Sequence, residues 1–371
     1  MLEERACWLA WSKIPGIGPV LLKRIYEYFG SLAIAWEASP KTLLQVEGIG
    51  ERLSEIVREK RSHLQPERLL KQYETENPCF WTPADIDYPS LLFEIHDPPP
   101  VLYYRGRYSL FNHQGFAPAV GIVGTRNPSE YGKRWTHKLS TSLTQQGFII
   151  ISGLAEGIDT QAHRSCLDHS GCTIAVLGTG VDMVYPRSNQ VLYEQIQAQG
   201  LLLSEYPNGV PPDRSHFPRR NRIIAGLSRA VLVTEAPKRS GALITAQLAN
   251  EYGRDVYVLP GSLDNPRCLG CLELLNQGGQ LILGLECLLK SLGAMPPLQP
   301  TTVVSKSELH LQPSLNQVFQ MISQEPIFLD KIVEALSMDT GVILSALVQL
   351  ELLGLVTQLP GMHYQRCDEN S

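Results

Sequence analysis

The stretch Ala119-Val-Gly-Ile-Val-Gly-Thr-Arg126 runs an apolar segment straight into a glycine turn. A strand that delivers such a turn to a helix start leaves backbone N–H groups where an anion can meet them. The same kind of transition recurs at Phe148-Ile-Ile-Ile-Ser-Gly153, Thr173-Ile-Ala-Val-Leu-Gly178, Gly200-Leu-Leu-Leu-Ser204, Ala230-Val-Leu-Val-Thr-Glu235 and Asp255-Val-Tyr-Val-Leu-Pro-Gly261. Helix-length stretches separate most of these runs. The order predicts an α/β fold, an extended Rossmann-like doubly wound sheet with a composite site along its carboxyl edge. The sheet domain is expected over 63–290, with its core at 116–290.

At 371 residues and 43% hydrophobic, the chain buries a full core and has room for two or three domains. A formal net charge of -5 argues against coating nucleic acid by bulk charge. It leaves room for a local basic site, because the field that matters is local. Eight cysteines and no apolar leader at Met1-Leu-Glu-Glu imply free thiols in a reducing, cytoplasmic setting. No uninterrupted apolar run reaches the roughly 18 residues of a membrane span, so no membrane partner is expected. Cys268-Leu-Gly-Cys271 has no second pair at zinc spacing, and Cys287 lies apart. The pair reads as structural, and no metal is expected.

From Trp8 to Lys60 the pattern is helical and is interrupted by Ile14-Pro-Gly-Ile-Gly18 and Val46-Glu-Gly-Ile-Gly50, 32 residues apart. Two such glycine turns look like a helix-hairpin-helix module over 1–62. They hold a phosphate or merely connect helices; Lys13, Lys23 and Arg24 favour the first, while Glu27, Glu47, Glu51 and Glu55 offset them. Residues 61–116 read as irregular, with Pro66, Pro78, Pro83, Pro89 and Pro98–Pro100. Within them Val101–Gly106 reads as a short strand added to the sheet edge.

Gly121-Ile-Val-Gly124 lacks the third glycine of the dinucleotide fingerprint, and Arg126 follows the turn, so no nicotinamide or other cofactor is expected. Arg126 fits either a phosphate clamp or a loop brace. Ser152-Gly-Leu-Ala-Glu-Gly-Ile-Asp159 adds a second small-residue loop. Asp159 and His163, four apart on one helical face, could pair as base and orienter or bind a metal; the favoured reading is a bond between them that ties helix to loop. Gly178-Thr-Gly180-Val-Asp182 closes a third loop, and Asn189 is expected to cap the next helix.

The densest polar signal holds Arg214, Arg219, Arg220, Arg222, Arg229, Lys238 and Arg239 against Glu235 alone. Phe217-Pro-Arg-Arg-Asn-Arg222 reads as a proline-constrained turn whose donors span successive phosphates of an extended strand, with His216 and Phe217 available for stacking. Ser240 and Gly241 open a helix, either as an anion site or as a plain cap. Neither a G-x-S-x-G elbow nor a P-loop ending is present, so hydrolase and nucleotide-hydrolysis chemistry have no anchor.

Together these phrases resemble the bacterial DNA-processing protein A family. The matching strings are Gly121–Arg126, Ser152–Asp159 with Ala162-His163, Val176–Asp182 with Tyr185-Pro186, Ser204–Pro207, Phe217–Ile224, Ser240–Ala246, Gly253-Arg254 and Pro260-Gly261. The resemblance implies a non-enzymatic binder of single-stranded DNA that works as a homodimer, protects incoming DNA in natural transformation and helps load the RecA recombinase. Site by site, it implicates Arg126, His216, Phe217, Arg219, Arg220, Asn221, Arg222, Lys238, Arg239, Ser240 and Gly241 in DNA contact. Gly124, Thr125, Ser152, Gly153, Gly157, Asp159, His163, Gly178, Gly180 and Asp182 are implied to line or brace the pocket. The chain departs from the family's Ser-x-Gly-x-Asn phrase at Cys268 and Leu272, which removes two polar groups from one corner. More distantly, the sheet resembles enzymes that cleave the glycosidic bond of nucleoside monophosphates, although their P-G-G-x-G-T-x-x-E phrase is missing. That enzyme and a protein scaffold without DNA binding are the alternatives.

Residues 291–310, with Pro296, Pro297 and Pro300, read as a linker. Helical spacing over Ser314–Ser323, Ile327–Ser337 and Thr340–Leu353, then two short strands about Pro360-Gly361, resembles a winged helix over 311–367. Its third helix carries no Arg or Lys, so packing or partner binding is expected there instead of duplex reading.

Overall fold

The computed structural model describes residues 2–77, 79–107, 118–293, 313–323, 327–336, 338–352, 356–359 and 363–366. It divides into two compact units, 1–297 and 298–371. The first holds a nine-stranded sheet: β1 (Phe80–Trp81), β2 (Leu102–Gly106), β3 (Ala119–Val123), β4 (Ile149–Ser152), β5 (Thr173–Leu177), β6 (Leu201–Ser204), β7 (Ala230–Val233), β8 (Asp255–Val258) and β9 (Gln280–Leu281). Their spatial order is β1-β2-β6-β5-β4-β3-β7-β8-β9. Strands β3 to β9 run parallel, while β2 is antiparallel to β6 and β1 to β2. The chain winds outward from β3 to β6, crosses back, and winds the other way from β7. At that reversal the chain leaves β3 and β7 toward opposite faces of the sheet, which opens a crevice just outside their carboxyl ends.

Strand residues alternate between two apolar layers, as the period of two requires. Val123, Ile151, Val176, Val231 and Val258 face helices His216–Leu227, Gly241–Glu251 and Leu269–Asn276. Val120, Ile122, Ile150 and Leu232 face helices Glu130–Gln145, Ile158–Asp168 and Leu285–Leu292. Both faces being covered explains why the strands read as unbroken apolar runs. The edge strand expected at Val101–Gly106 is β2, with Tyr103 opposite Ser204. Strand β9 has only two residues, both exposed, and offers no pattern to read.

At the amino end, helices Pro19–Phe29 and Glu51–His63 each follow a hairpin. Gly16 and Gly48 sit at φ 88° and 96°, a conformation in which a Cβ is strained, so both turns need glycine. Lys23 Nζ donates to the carbonyl of Ile95 at 2.8 Å and fastens this module to the sheet layer.

Four expectations change. Residues 61–116 are less irregular than their prolines imply, because Pro66 opens helix Pro66–Glu76, where a missing N–H costs nothing. Phe217–Arg222 is no turn but the start of helix His216–Leu227, and Pro218 lies in the first turn for the same reason. Of the expected linker, Ser291 and Leu292 complete helix Leu285–Leu292, while 294–310 lie outside the described residues. Ile327 begins a strand, not a helix.

The second unit contains helices Pro313–Met321, Leu329–Leu336 and Thr340–Leu352 with strands β10 (Ile327–Phe328), β11 (Val356–Leu359) and β12 (His363–Arg366). Their order is β10-β12-β11, all antiparallel, over a core of Val318, Ile332, Ile343, Leu347 and Leu350. This is the winged-helix arrangement. The Pro360-Gly361 turn lies outside the described residues.

Candidate nucleic-acid interface

A cleft of about 680 Å³ opens at the carboxyl ends of β3 and β7, with helix His216–Leu227 as one wall. It gathers Gly124, Thr125, Arg126, Asp159, Phe217, Arg220, Asn221, Ser240 and Gly241, all singled out from the sequence. Arg126 is exposed, and among the described residues no carboxylate lies within ion-pair reach of it. Its guanidinium carbon instead lies 5.8 Å from the centre of the Phe217 ring. The acid that a loop brace would need is thus not found among the described residues. Phe217 lies against Gly178 and beside Tyr185, ring centres 5.4 Å apart. Arg214, also exposed, completes the rim. Two exposed cations without an ion-pair partner among the described residues, beside an aromatic wall, suit a phosphate chain and a stacked base.

Arg220 plays a different part. It is 5% exposed, and its Nη1 donates to the carbonyls of Gly153, at 2.6 Å, and Val176. A Cβ on Gly153 would lie 2.5 Å from that guanidinium, so the glycine is the slot into which the arginine fits. Burial lowers the Arg220 pKa to about 10, which leaves it a cation at neutral pH. Asp159 beside it accepts from the backbone N–H groups of Gly153, at 3.1 Å, and Ala155. Burial pushes its carboxyl up, while Arg220 and these bonds pull it back.

The expected Asp159–His163 bond does not form. His163 instead meets Thr173 Oγ1 on β5 through Nδ1 at 2.7 Å. Burial, helped by the Arg220 charge, drives the His163 pKa down from 6.5 to about 3. The unfolded chain then takes up a proton that the folded chain refuses, so this contribution to stability is present above pH 6.5 and lost as pH falls toward 3. Urea titrations between these limits should show stability falling by up to about 1.4 kcal/mol per pH unit from this group. A His163→Asn variant should flatten that part of the profile.

Arg222 points away from the cleft. It is buried against Glu205 and Asp97, the latter at 3.4 Å, and so belongs to an internal charge cluster. Residues two apart on a helix do not share a face, so Arg220 and Arg222 could not both line one wall. Arg219 is exposed but outside the lining. His216 stacks on Tyr206 at 3.9 Å, and Lys238 pairs with Glu273 at 2.7 Å. Arg239 is exposed at φ 61° just before the helix start. Ser240 is that helix's cap, accepting from the Ala242 N–H at 3.1 Å, and Asn221 Nδ2 donates to the Gly241 carbonyl.

Ser152 Oγ donates to the Ile122 carbonyl, and Gly157, at φ 83°, lies against the Thr125 carbonyl. Gly180 and Asp182 hold the 207–210 loop through Val210 and Gly209. Asn189 does not cap; its Nδ2 donates to the Leu154 carbonyl and Thr160 Oγ1. Cys268 and Leu272 fall outside the cleft lining, so the departures there leave it intact. Cys268 and Cys271 are both buried free thiols. Arg214 and Tyr185 complete the cleft although sequence reasoning did not select them; Arg214 opens the basic stretch, and Tyr185 belongs to the quoted Tyr185-Pro186 phrase.

Residues 79–293 match the family described as DNA recombination-mediator protein A. Residues 304–362 match the DprA winged helix domain, and 11–57 the SAM-like helix-hairpin-helix tandem. Protein Smf of Synechocystis sp. is 49% identical over 98% of this chain and 99% of its own length. The DNA processing protein DprA of Streptococcus pneumoniae is 46% identical over 53% of this chain and 67% of its own. The X-ray structure of DNA processing protein A from S. pneumoniae superposes with a TM-score of 0.67 at 35% identity, covering 78% of this chain and 98% of that one. The structure of DNA processing protein A from Helicobacter pylori, described for its unique single-stranded DNA binding mode, superposes with a TM-score of 0.52 at 32% identity, over 57% and 95%. With a family match across more than half the sequence and a relative aligned along nearly all of it, the chain belongs to the DNA recombination-mediator protein A family.

Proposed function

We propose that this protein binds single-stranded DNA without reading its bases and acts as a recombination mediator in natural transformation, protecting the incoming strand and loading RecA onto it. The observation that carries the binding step is the convergence of exposed Arg126 and Arg214, neither with an ion-pair partner among the described residues, on a cleft walled by Phe217 and Tyr185. Phosphate contacts carry no base code, so the binding is indifferent to sequence. The reversal of strand order at the cleft supports reading the sheet as Rossmann-like, with the site at its switch point. A cytoplasmic homodimer completes the proposal, since two clefts on one strand raise the effective affinity.

This is a binding protein, not an enzyme. Asp159 is the sole carboxylate among the residues lining the cleft, and its Oδ2 accepts two backbone N–H groups. Cleavage at the sugar of a nucleotide would need acid and base groups poised beside it. Fluorescence anisotropy of a labelled oligothymidylate across a salt series tests the reading. Affinity should fall steeply with salt, and Phe217→Ala should cost about 1–3 kcal/mol at any fixed salt, the value of a stacked base. A scaffold would show no salt-dependent binding.

A further inference from the structure

Beside the cleft lies a second hollow of about 490 Å³, bounded by Tyr131, Pro260, Gly261, Ser262, Asn265 and Cys268. We propose that this hollow takes the base of the adjoining nucleotide of the bound strand, with the intervening phosphate held by Arg267 and Arg134. The proposal rests on the single-strand reading above.

Continuity with the cleft comes through one loop. Arg126 edges the cleft, and the next residue, Asn127, offers its carbonyl to Arg267 Nε at 2.9 Å. That bond occupies only one edge of an exposed guanidinium. Arg134 lies with its guanidinium carbon 5.9 Å from the centre of the Tyr131 ring and is exposed as well. Among the described residues, no carboxylate lies within ion-pair reach of either arginine. Glu130, on the same helix, is taken by Lys133 at 2.8 Å, the buried Glu235 is bonded to Ser129 and Asn265, and Asp264 is exposed on the neighbouring loop.

The walls favour a base over a phosphate. Tyr131 presents a half-buried ring whose hydroxyl donates to the Pro260 carbonyl at 3.0 Å, so its plane is fixed before anything binds. Pro260, Gly261 and the Cys268 thiol add apolar surface; burial and nearby Glu235 push that thiol up and keep it neutral. The Asn265 amide is already used, donating to Glu235 and accepting from the Arg267 N–H. Stacking without hydrogen-bond readout admits any base. The cysteine that departs from the family's usual serine thus forms part of this hollow, outside the first cleft.

The test uses the full chain and a long oligothymidylate carrying photoreactive 5-iodouracil. Ultraviolet cross-linking with peptide mass spectrometry should mark Tyr131 as well as the Phe217–Tyr185 wall. The double variant Arg134→Ser/Arg267→Ser should lower affinity about tenfold at low salt and flatten the salt slope by about 0.7, the contribution of the one phosphate no longer held. Because Arg267 also steadies the 127 carbonyl, Arg134→Ser alone should give about half of that change in slope. Cross-links confined to Phe217 and Tyr185, or an unchanged slope in the double variant, would overturn the second subsite while leaving the cleft in place. If Arg126→Ala binds as wild type does, the cleft reading itself fails.

Discussion

Replacing Arg126 with alanine is expected to weaken binding of single-stranded DNA between about tenfold and a hundredfold, the worth of a charge-assisted contact of about 1.5–3 kcal/mol. Its guanidinium is exposed, makes no ion pair among the described residues and lies over the Phe217 ring, so its charge is available to a phosphate. Removing it orphans no buried partner. Thermal stability should therefore move by no more than about 0.5 kcal/mol, as for an ordinary surface substitution. The salt dependence of affinity should flatten by about 0.7, the contribution of one phosphate on a single strand. Arg214→Ala should behave in the same way, and the double variant should bind more weakly than either alone. Anisotropy across a salt series, beside a melting curve, separates this result from a folding defect.

Arg220→Leu is expected to do the opposite, costing about 3–5 kcal/mol of stability, as when one partner of a buried charge group is removed. Its Nη1 satisfies the carbonyls of Gly153 and Val176, at the ends of β4 and β5, and its charge offsets that of Asp159. Leucine leaves those acceptors without a donor and Asp159 without its cation. Urea denaturation should show the midpoint falling sharply. DNA affinity, measured well below that midpoint, should change less than stability, because the Arg220 guanidinium, though part of the cleft wall, is bonded to backbone carbonyls. Gly153→Ala should reproduce the defect from the other side, since its Cβ would occupy the arginine's slot. Normal stability in both variants would refute a bracing role.

Those two arginines show how far the residues alone could be read. The basic stretch from Arg214 to Arg239 was legible as a cluster because charge in an acidic chain stands out. Which members face solvent was not. Reading Pro218 as a turn residue spread Arg219, Arg220 and Arg222 along one exposed edge. Inside a helix successive residues turn by about 100°, so the three divide among solvent, cleft wall and the Asp97–Glu205 cluster. Asp159 and His163 make the same point. Their spacing favours contact, yet Asp159 turns toward backbone N–H groups and His163 toward β5, each following the nearest unsatisfied buried partner.

Which runs become the core strands, and the glycine turns at their ends, were set by local chemistry: apolar runs buried on both faces, and backbone conformations or close approaches that a Cβ obstructs. Those features are enough, by themselves, to place the site on one edge of the sheet. Only the folded chain decided which cations remain unpaired, because pairing depends on partners such as Asp97, Gly153 and Glu205, which lie far away in sequence and meet Arg220 or Arg222 only across packed layers.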